Sequence, residues 1–122
     1  GNNRIYGQSG DDTLFVGSND RAFGGSGNDI FYLLGSGSTI SGGSGEDQFW
    51  LASAEYPESA NTITDFENGT DVLGIGGLGL SFDDLSFTQQ GGTTLIASGE
   101  QEIAKLLGIN ANQLSADNFV FS

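Results

Sequence analysis

Residues 24–50 read GGSGNDIFY (24–32), LLGSGSTIS (33–41) and GGSGEDQFW (42–50), three blocks of nine residues in one register. Numbered from one to nine, the outer blocks carry glycine at positions one, two and four and an acid, Asp29 or Asp47, at position six. A bulky apolar residue, Phe31, Ile40 or Phe49, stands at position eight of every block. A six-residue glycine loop followed by a three-residue strand leaves no room for a helix. The pattern predicts the turns of a parallel β-solenoid, with position eight inward and seven and nine outward, because strand side chains alternate. Glycine enters φ > 0 without a Cβ penalty, so the loop can curl and aim its carbonyl oxygens at one point. The aspartate adds a carboxylate there, and such a hard oxygen set suits Ca²⁺.

The register extends towards the N-terminus. Residues 7–15, GQSGDDTLF, form a full repeat with Gln8 at position two, and Asn3 and Ile5 occupy positions six and eight of a truncated one. Residues 16–23 form a shorter block with Asp20 at six and Ala22 at eight. Full repeats start at 7, 24 and 42, so two blocks make one coil and alternate loops stack on the same side. One side then carries Asp12, Asp29 and Asp47, and the other carries Asn3, Asp20 and Ser38. Stacked carboxylates ~4.8 Å apart repel by roughly 3 kcal/mol at an effective dielectric of about 20. The repeats are therefore expected to be disordered without bound cations.

This nonapeptide is a known repeat signature, and the segment resembles the RTX (repeats-in-toxin) family of secreted calcium-binding β-rolls. The resemblance implies an all-β fold: a right-handed parallel β-roll of GGxGxDxUx repeats with a β-rich C-terminal cap. It also implies that each of several Ca²⁺ ions lies between stacked loops, shared by position-six carboxylates and loop carbonyls. The expected ligands are Gly7, Ser9, Asp11 and Asp12; Gly24, Gly25, Ser26, Gly27, Asn28 and Asp29; and Gly42, Gly43, Ser44, Gly45, Glu46 and Asp47. The intact side offers two sites, Asp12 with Asp29 and Asp29 with Asp47. The other side offers the single carboxylate of Asp20.

Residues 1–50 are thus the repeat segment of one continuous domain. Over 51–80 the register breaks, and an inserted loop is expected at 51–60 around Pro57. Asn61 to Thr64 resume positions six to nine, and a glycine-rich connector is expected at 74–80. DFENGTDVL (65–73) resembles the segment that closes many RTX rolls, which implies a further ion at Asp65 and Asp71. Residues 81–122 are the expected cap, in which Ser81 caps a short helical turn. Residues 85–90 and 93–97 alternate about Gly91-Gly92, a hairpin signal. Strands are expected at 102–107 and 119–121, with a brief turn or helix at 114–118. By resemblance, this region also carries an uncleaved signal for type I secretion.

Composition narrows the function. Sixteen acids against Arg4, Arg21 and Lys105 give a net charge of −13, which argues against nucleic acid as a partner. No apolar run approaches the ~18 residues of a membrane span. The absence of cysteine removes disulfides and thiolate metal sites. With no histidine and one lysine, general-base and Schiff-base chemistry have almost no candidates, so the chain is expected not to be an enzyme. Gly1 opens inside a repeat, so an upstream domain of the same polypeptide is expected to carry any activity. Two function classes remain: a calcium-triggered folding and secretion module, or a calcium-stabilised binding module for a glycan or protein ligand. The outward position-seven residues Arg4, Thr13, Arg21, Ile30, Thr39 and Gln48 form no threonine array of the ice-binding kind. Phe15, Tyr32 and Trp50 at position nine form an aromatic column that serves either as packing or as a recognition surface.

Overall fold

The computed structural model describes residues 3–53, 55–67 and 70–121. Gly1, Ala54 of the expected inserted loop, and Asn68 and Gly69 of the roll-closing segment lie outside the described residues. The repeats form short strands that alternate between two sheets: β1 (Arg4–Tyr6), β2 (Thr13–Val16), β3 (Arg21–Phe23), β4 (Ile30–Leu33), β5 (Thr39–Ser41) and β6 (Gln48–Ser53). Then come β7 (Asn61–Ile63), β8 (Val72–Gly76), β9 (Ser86–Gln90), β10 (Thr93–Ser98), β11 (Gln101–Leu107) and β12 (Phe119–Phe121). One sheet runs β1-β3-β5-β7-β11-β10-β9 and the other β12-β8-β6-β4-β2. Pairings within the roll are parallel and in the repeat register, Ile40 facing Ala22 and Ile63, and Phe31 facing Leu14 and Phe49. No helix among the described residues is long and apolar enough to cross a membrane.

Position eight builds the core, as strand alternation requires. Ala22, Ile40 and Ile63 from one sheet meet Phe31, Phe49 and Leu73 from the other, all fully buried. The Phe31 and Phe49 rings stack with centroids 5.0 Å apart. A second inward row, Val16 and Leu33 and then Leu51 and Ile75, widens this narrow core.

Here the structure departs from the expected inserted loop. Leu51 and Ala52 belong to β6 and are buried, and the ladder to β8 absorbs the extra residue in a bulge between Trp50 and Ala52. Apolar side chains continue the pleat, so the strand ends where burial ends rather than where the nonapeptide does. Similarly, Gly74, Ile75 and Gly76 belong to β8 and not to a connector.

The cap continues both sheets. β9, β10 and β11 form an antiparallel meander whose last strand pairs in parallel with β7, while β12 pairs in parallel with β8. The sheet ends of the roll thus become hydrogen-bonded to the cap instead of remaining open edges. Phe82–Asp84 is a 3₁₀ turn in which the Asp84 carboxylate accepts the Ser81 N–H at 2.8 Å. Ala111–Gln113 and Ala116–Asn118 form two more.

Phe15, Tyr32 and Trp50 stack face to face, with centroids 5.3 and 6.4 Å apart and planes within 14°. The Trp50 ring continues over Gly74, which is buried. Both faces of Tyr32 and Trp50 are therefore spent on neighbours, which supports the packing role for them, while Phe15 at the end of the column is 62% exposed. A Cβ on Gly74 would stand 2.5 Å from Trp50 Cδ2 and Cε3. Gly74→Ala should lower the stability of the folded roll by about 1–3 kcal/mol through overpacking. Urea unfolding followed by Trp50 fluorescence reads this directly, and an unchanged midpoint would contradict the stacking described.

Candidate metal centre

Each coil delivers its position-six side chain to the corner between the two sheets, and there these side chains form a ladder. Asp29 Oδ1 accepts the N–H of Asp12, Asp47 Oδ1 that of Asp29, and Asp71 Oδ1 that of Asp47, each at 2.9 Å. Asp29, Asp47 and Asp71 are at most 2% exposed. Position five repeats the device at the surface, Asp11 Oδ1 accepting the Asn28 N–H and Asn28 Oδ1 the Glu46 N–H.

The other oxygen of the position-six acids behaves differently. Oδ2 of Asp12, Asp29 and Asp47 is buried and accepts no hydrogen bond. Each sits beside the position-one glycine of its own loop, Gly7, Gly24 or Gly42. Around Gly7, Asp12 Oδ2 and the Gly24 carbonyl oxygen lie 2.6 and 2.9 Å from where a Cβ would stand. Around Gly24, Asp29 Oδ2 and the Gly42 carbonyl oxygen converge in the same way. Position one must lack a side chain because oxygens of two successive coils occupy that space. Gly25 and Gly43 adopt φ of 82° and 83°, and a Cβ on either would strike the carbonyl of the coil before it. Gln8, with no such coil beneath it among the described residues, holds φ 72° as a non-glycine residue.

A buried carboxylate oxygen without a donor is costly, more so than the ~1–3 kcal/mol of a neutral group. These oxygens fit a hard cation, and a row of them alternating with carbonyls fits Ca²⁺. No group of three or more acidic side chains converges among the described residues, so much of any coordination falls to backbone carbonyls. The side chains of Ser9, Ser26, Ser44, Asp11, Asn28 and Glu46 face solvent. Gly27 and Gly45 take φ of 103° and 97° to curl the loop.

The opposite corner has the same ladder with other chemistry. Asp20 Oδ1 accepts the Asn3 N–H, Ser38 Oγ the Asp20 N–H, and Asn61 Oδ1 the Ser38 N–H, at 2.9–3.0 Å. Here the remaining hydrogen-bonding capacity of each side chain is met by backbone. Asp20 Oδ2 accepts the Gly17 N–H, Ser38 Oγ–H donates to the Gly17 carbonyl, and the Asn61 amide donates to the Gly35 carbonyl. Hydroxyl and amide hydrogens stand where a cation would otherwise balance oxygen.

Asp71, grouped with Asp65 in the sequence reading, instead extends the acid ladder by one coil, with Val72 and Leu73 in register with Gln48 and Phe49. Its Oδ2 accepts the Glu67 N–H at 2.9 Å. Asp65 is seated elsewhere, its two oxygens accepting the N–H groups of Gly42 and Gly43 at 2.8 Å. The signal for Asp71 was present as Gly69-Thr70-Asp71-Val72-Leu73, which matches positions four to eight.

Burial drives the electrostatics. It pushes Asp47 up to about 7, helped by the neighbouring charges of Asp71, Asp29 and Asp65. Burial likewise raises Asp29 and Asp71 above the usual carboxylate value. The N–H of Asn3 holds Asp20 below it. With raised folded-state values, the ion-free roll binds more protons than the unfolded chain. The stability that these acids contribute is therefore fully present below the ordinary carboxylate value of about 4 and is lost as pH rises through about 7. In chelator, residual strand circular dichroism should be higher at pH 5 than at pH 8, and excess Ca²⁺ should remove or reverse that order. The same trend with and without calcium would refute the assignment of charge to this column.

Residues 6–120 match the family model described as "Peptidase M10 serralysin C terminal". The solved AlgE6R3 subunit of the Azotobacter vinelandii mannuronan C5-epimerase is 28% identical, with a TM-score of 0.71 over 98% of this chain and 78% of its own. The AlgE6R2 subunit of the same enzyme is 27% identical with a TM-score of 0.45, over 96% and 91%. The extracellular lipase LipA of Serratia marcescens is 27% identical with a TM-score of 0.45, over 93% of this chain and 20% of the lipase. No curated protein matches the chain.

Proposed function

The chain belongs to the peptidase M10 serralysin C-terminal family, whose members are calcium-binding β-rolls of the RTX type, and from that premise we propose that it is a module whose folding is switched on by calcium outside the cell, supporting type I secretion and the stability of a larger secreted protein. One observation carries the reading: three buried carboxylate oxygens in one column, on Asp12, Asp29 and Asp47, that the protein leaves without a donor.

Asp12, Asp29 and Asp47 would hold the ions, together with carbonyls of the loops that begin at Gly7, Gly24 and Gly42. Calcium, when bound, supplies the positive charge that offsets the stacked carboxylates and satisfies their second oxygens. Binding then contributes directly to folding free energy, because the site does not exist in the unfolded chain. At low intracellular calcium the repeats stay unfolded, the state an export channel requires, and the higher calcium outside the cell orders them. Asp71 and Asp65, with N–H groups on both oxygens, shape the last coil and its loop. The acids have this structural assignment and none of them is assigned a reaction.

Titrating Ca²⁺ into chelated protein should generate strand circular dichroism, with Mg²⁺ much less effective because it demands tighter octahedral geometry. Complete β-structure in excess chelator would refute the proposal. Asp29→Asn should raise the calcium midpoint on the order of tenfold or more, since ligand charge tunes such affinities by decades. The same substitution should increase the strand circular dichroism that remains in chelator, because the new amide can donate as that of Asn61 does. Asp20→Asn should shift the calcium midpoint far less, and equal shifts would place the ions at the wrong corner.

A further inference from the structure

Among the described residues four strands end the two sheets: β1 and β9 in one, β2 and β12 in the other. An edge strand offers a row of backbone N–H and C=O groups to any other strand, and proteins blunt such edges with charge, proline, bulges or shortness. Three of these four are blunted. β1 is three residues long and carries Arg4, β12 is three residues long, and β2 is led by Asp11 and Asp12. β9 differs from all of them. Its five residues, Ser86–Gln90, read SFTQQ, with no charge and no proline, and its pairing with β10 runs without a bulge. β10 behind it, Thr93–Ser98, is uncharged as well.

The strand is also held in place from its inner side. The Phe87 ring packs against Phe82 and Phe119, with centroids 5.4 and 5.8 Å away. The Gln89 amide donates to the Gly91 carbonyl, and its oxygen accepts the Ala111 N–H, both at 2.7 Å. Ser86, Thr88 and Gln90 alternate with these residues and are exposed. β9 is thus an extended, pre-ordered edge, and ordering it on contact costs little. With sixteen acids against three cations, two copies of this chain repel one another over most of their surface. β9 and β10 form a border at which they meet without like charges in contact.

We propose that β9 pairs antiparallel with β9 of a second copy, joining the two seven-stranded sheets across a two-fold axis beside Thr88. A two-fold axis normal to a sheet makes one residue of the edge strand face its own copy. With Thr88 there, Ser86 faces Gln90 and Phe87 faces Gln89, so every residue of the strand is paired. Threonine opposite threonine is a favourable cross-strand match. Asp83 and Asp84, the nearest acids in sequence, fall level with the Gly91-Gly92 turn of the second copy, which carries no charge. A different protein would have to bring an uncharged strand of its own, whereas a second copy always presents one. The contact is isologous and closes at two chains, cap to cap, with the β1 ends pointing away from each other. A seam of five residues falls below the roughly 1,200 Å² of a standard interface, so the association is weak.

Sedimentation velocity in calcium, from about 10 µM to 1 mM protein, covers the range in which so small an interface associates. The mass should rise from one chain to two and stop there. Thr88→Lys sets like charges directly opposite each other and should raise the dissociation constant on the order of tenfold, more at low salt. Thr39→Lys, the same charge change on an exposed position of β5, should leave it unchanged. The chain has no cysteine, so introduced thiols report the register, and circular dichroism checks that each variant is folded. Mild oxidation should cross-link Thr88→Cys, whose two copies stand within the roughly 4.4–6.8 Å between Cα atoms that a disulfide spans. It should also cross-link a mixture of Ser86→Cys with Gln90→Cys, but neither of these alone, since each lies about 13 Å from its own copy. A single-chain mass at every concentration, or growth beyond two chains, would overturn the proposal. So would a Thr88→Lys dimer as tight as the unsubstituted one, or Ser86→Cys alone cross-linking as fast as Thr88→Cys.

Discussion

The fold depends on a column of stacked carboxylates, of which Asp29 and Asp47 each do two unequal jobs. One oxygen accepts the N–H of the preceding coil and fixes the register between coils. The other, like that of Asp12, is turned into a cradle of glycine loops and accepts no hydrogen bond. The first job needs a hydrogen-bond acceptor and would be met by asparagine or serine, as the opposite corner shows. The second job makes sense only with a cation, because at roughly 3 kcal/mol per neighbouring pair ionised carboxylates at strand spacing oppose the stacking they direct. Register and ion demand are thus written into the same side chain.

The two corners form an internal control. They share ladder geometry and differ in what is left of each side chain's hydrogen-bonding capacity. At Asp20, Ser38 and Asn61 it finds a backbone partner; at Asp12, Asp29 and Asp47 the second oxygen finds none. The roll is therefore not uniformly metal-dependent. One corner is closed by hydrogen bonds whatever the medium, and this lowers the entropy lost when the other corner assembles around ions.

Much of this was legible in the chain because a solenoid is a local, repeating solution. A nine-residue register with glycine at fixed positions specifies which atoms face inward and which loops stack, so the acid column and the core at Phe31, Ile40 and Phe49 could be written down directly. The cap meander about Gly91-Gly92 was equally plain, since its alternation and turn are both local. What escaped depends on distant partners. β6 runs on through Ala52 because Leu51 finds the core, and Gly74 is a strand residue because Trp50 lies over it. Asp71 joins the ladder 24 residues after Asp47 rather than seventeen or eighteen, a spacing that hides the repeat behind an insertion. The seat of Asp65 on the N–H groups of Gly42 and Gly43 belongs to the folded loop alone. The neighbours of Lys105 emerged only from the pairing of β7 with β11, which puts it beside Thr62 across more than forty residues of sequence.

The ends of the roll are consequently unlike. Towards the cap, Ile96, Ile103, Leu106 and Phe119 add apolar burial, the sheets continue by hydrogen bonding, and Asp65 and Asp71 have N–H partners on both oxygens. Towards β1 the core thins to the half-buried Ile5 and Leu14, while Tyr6 and Phe15 are 56% and 62% exposed. In a solenoid each coil is stabilised chiefly by its neighbours. Order must therefore start where the neighbour terms are favourable without ions, which is the cap with the last coil. Each coil nearer β1 adds a carboxylate whose second oxygen accepts no hydrogen bond, so the demand for a cation grows with distance from the cap. On the proposal that calcium switches folding, the ion governs how far order extends from a cap that is held by ordinary packing.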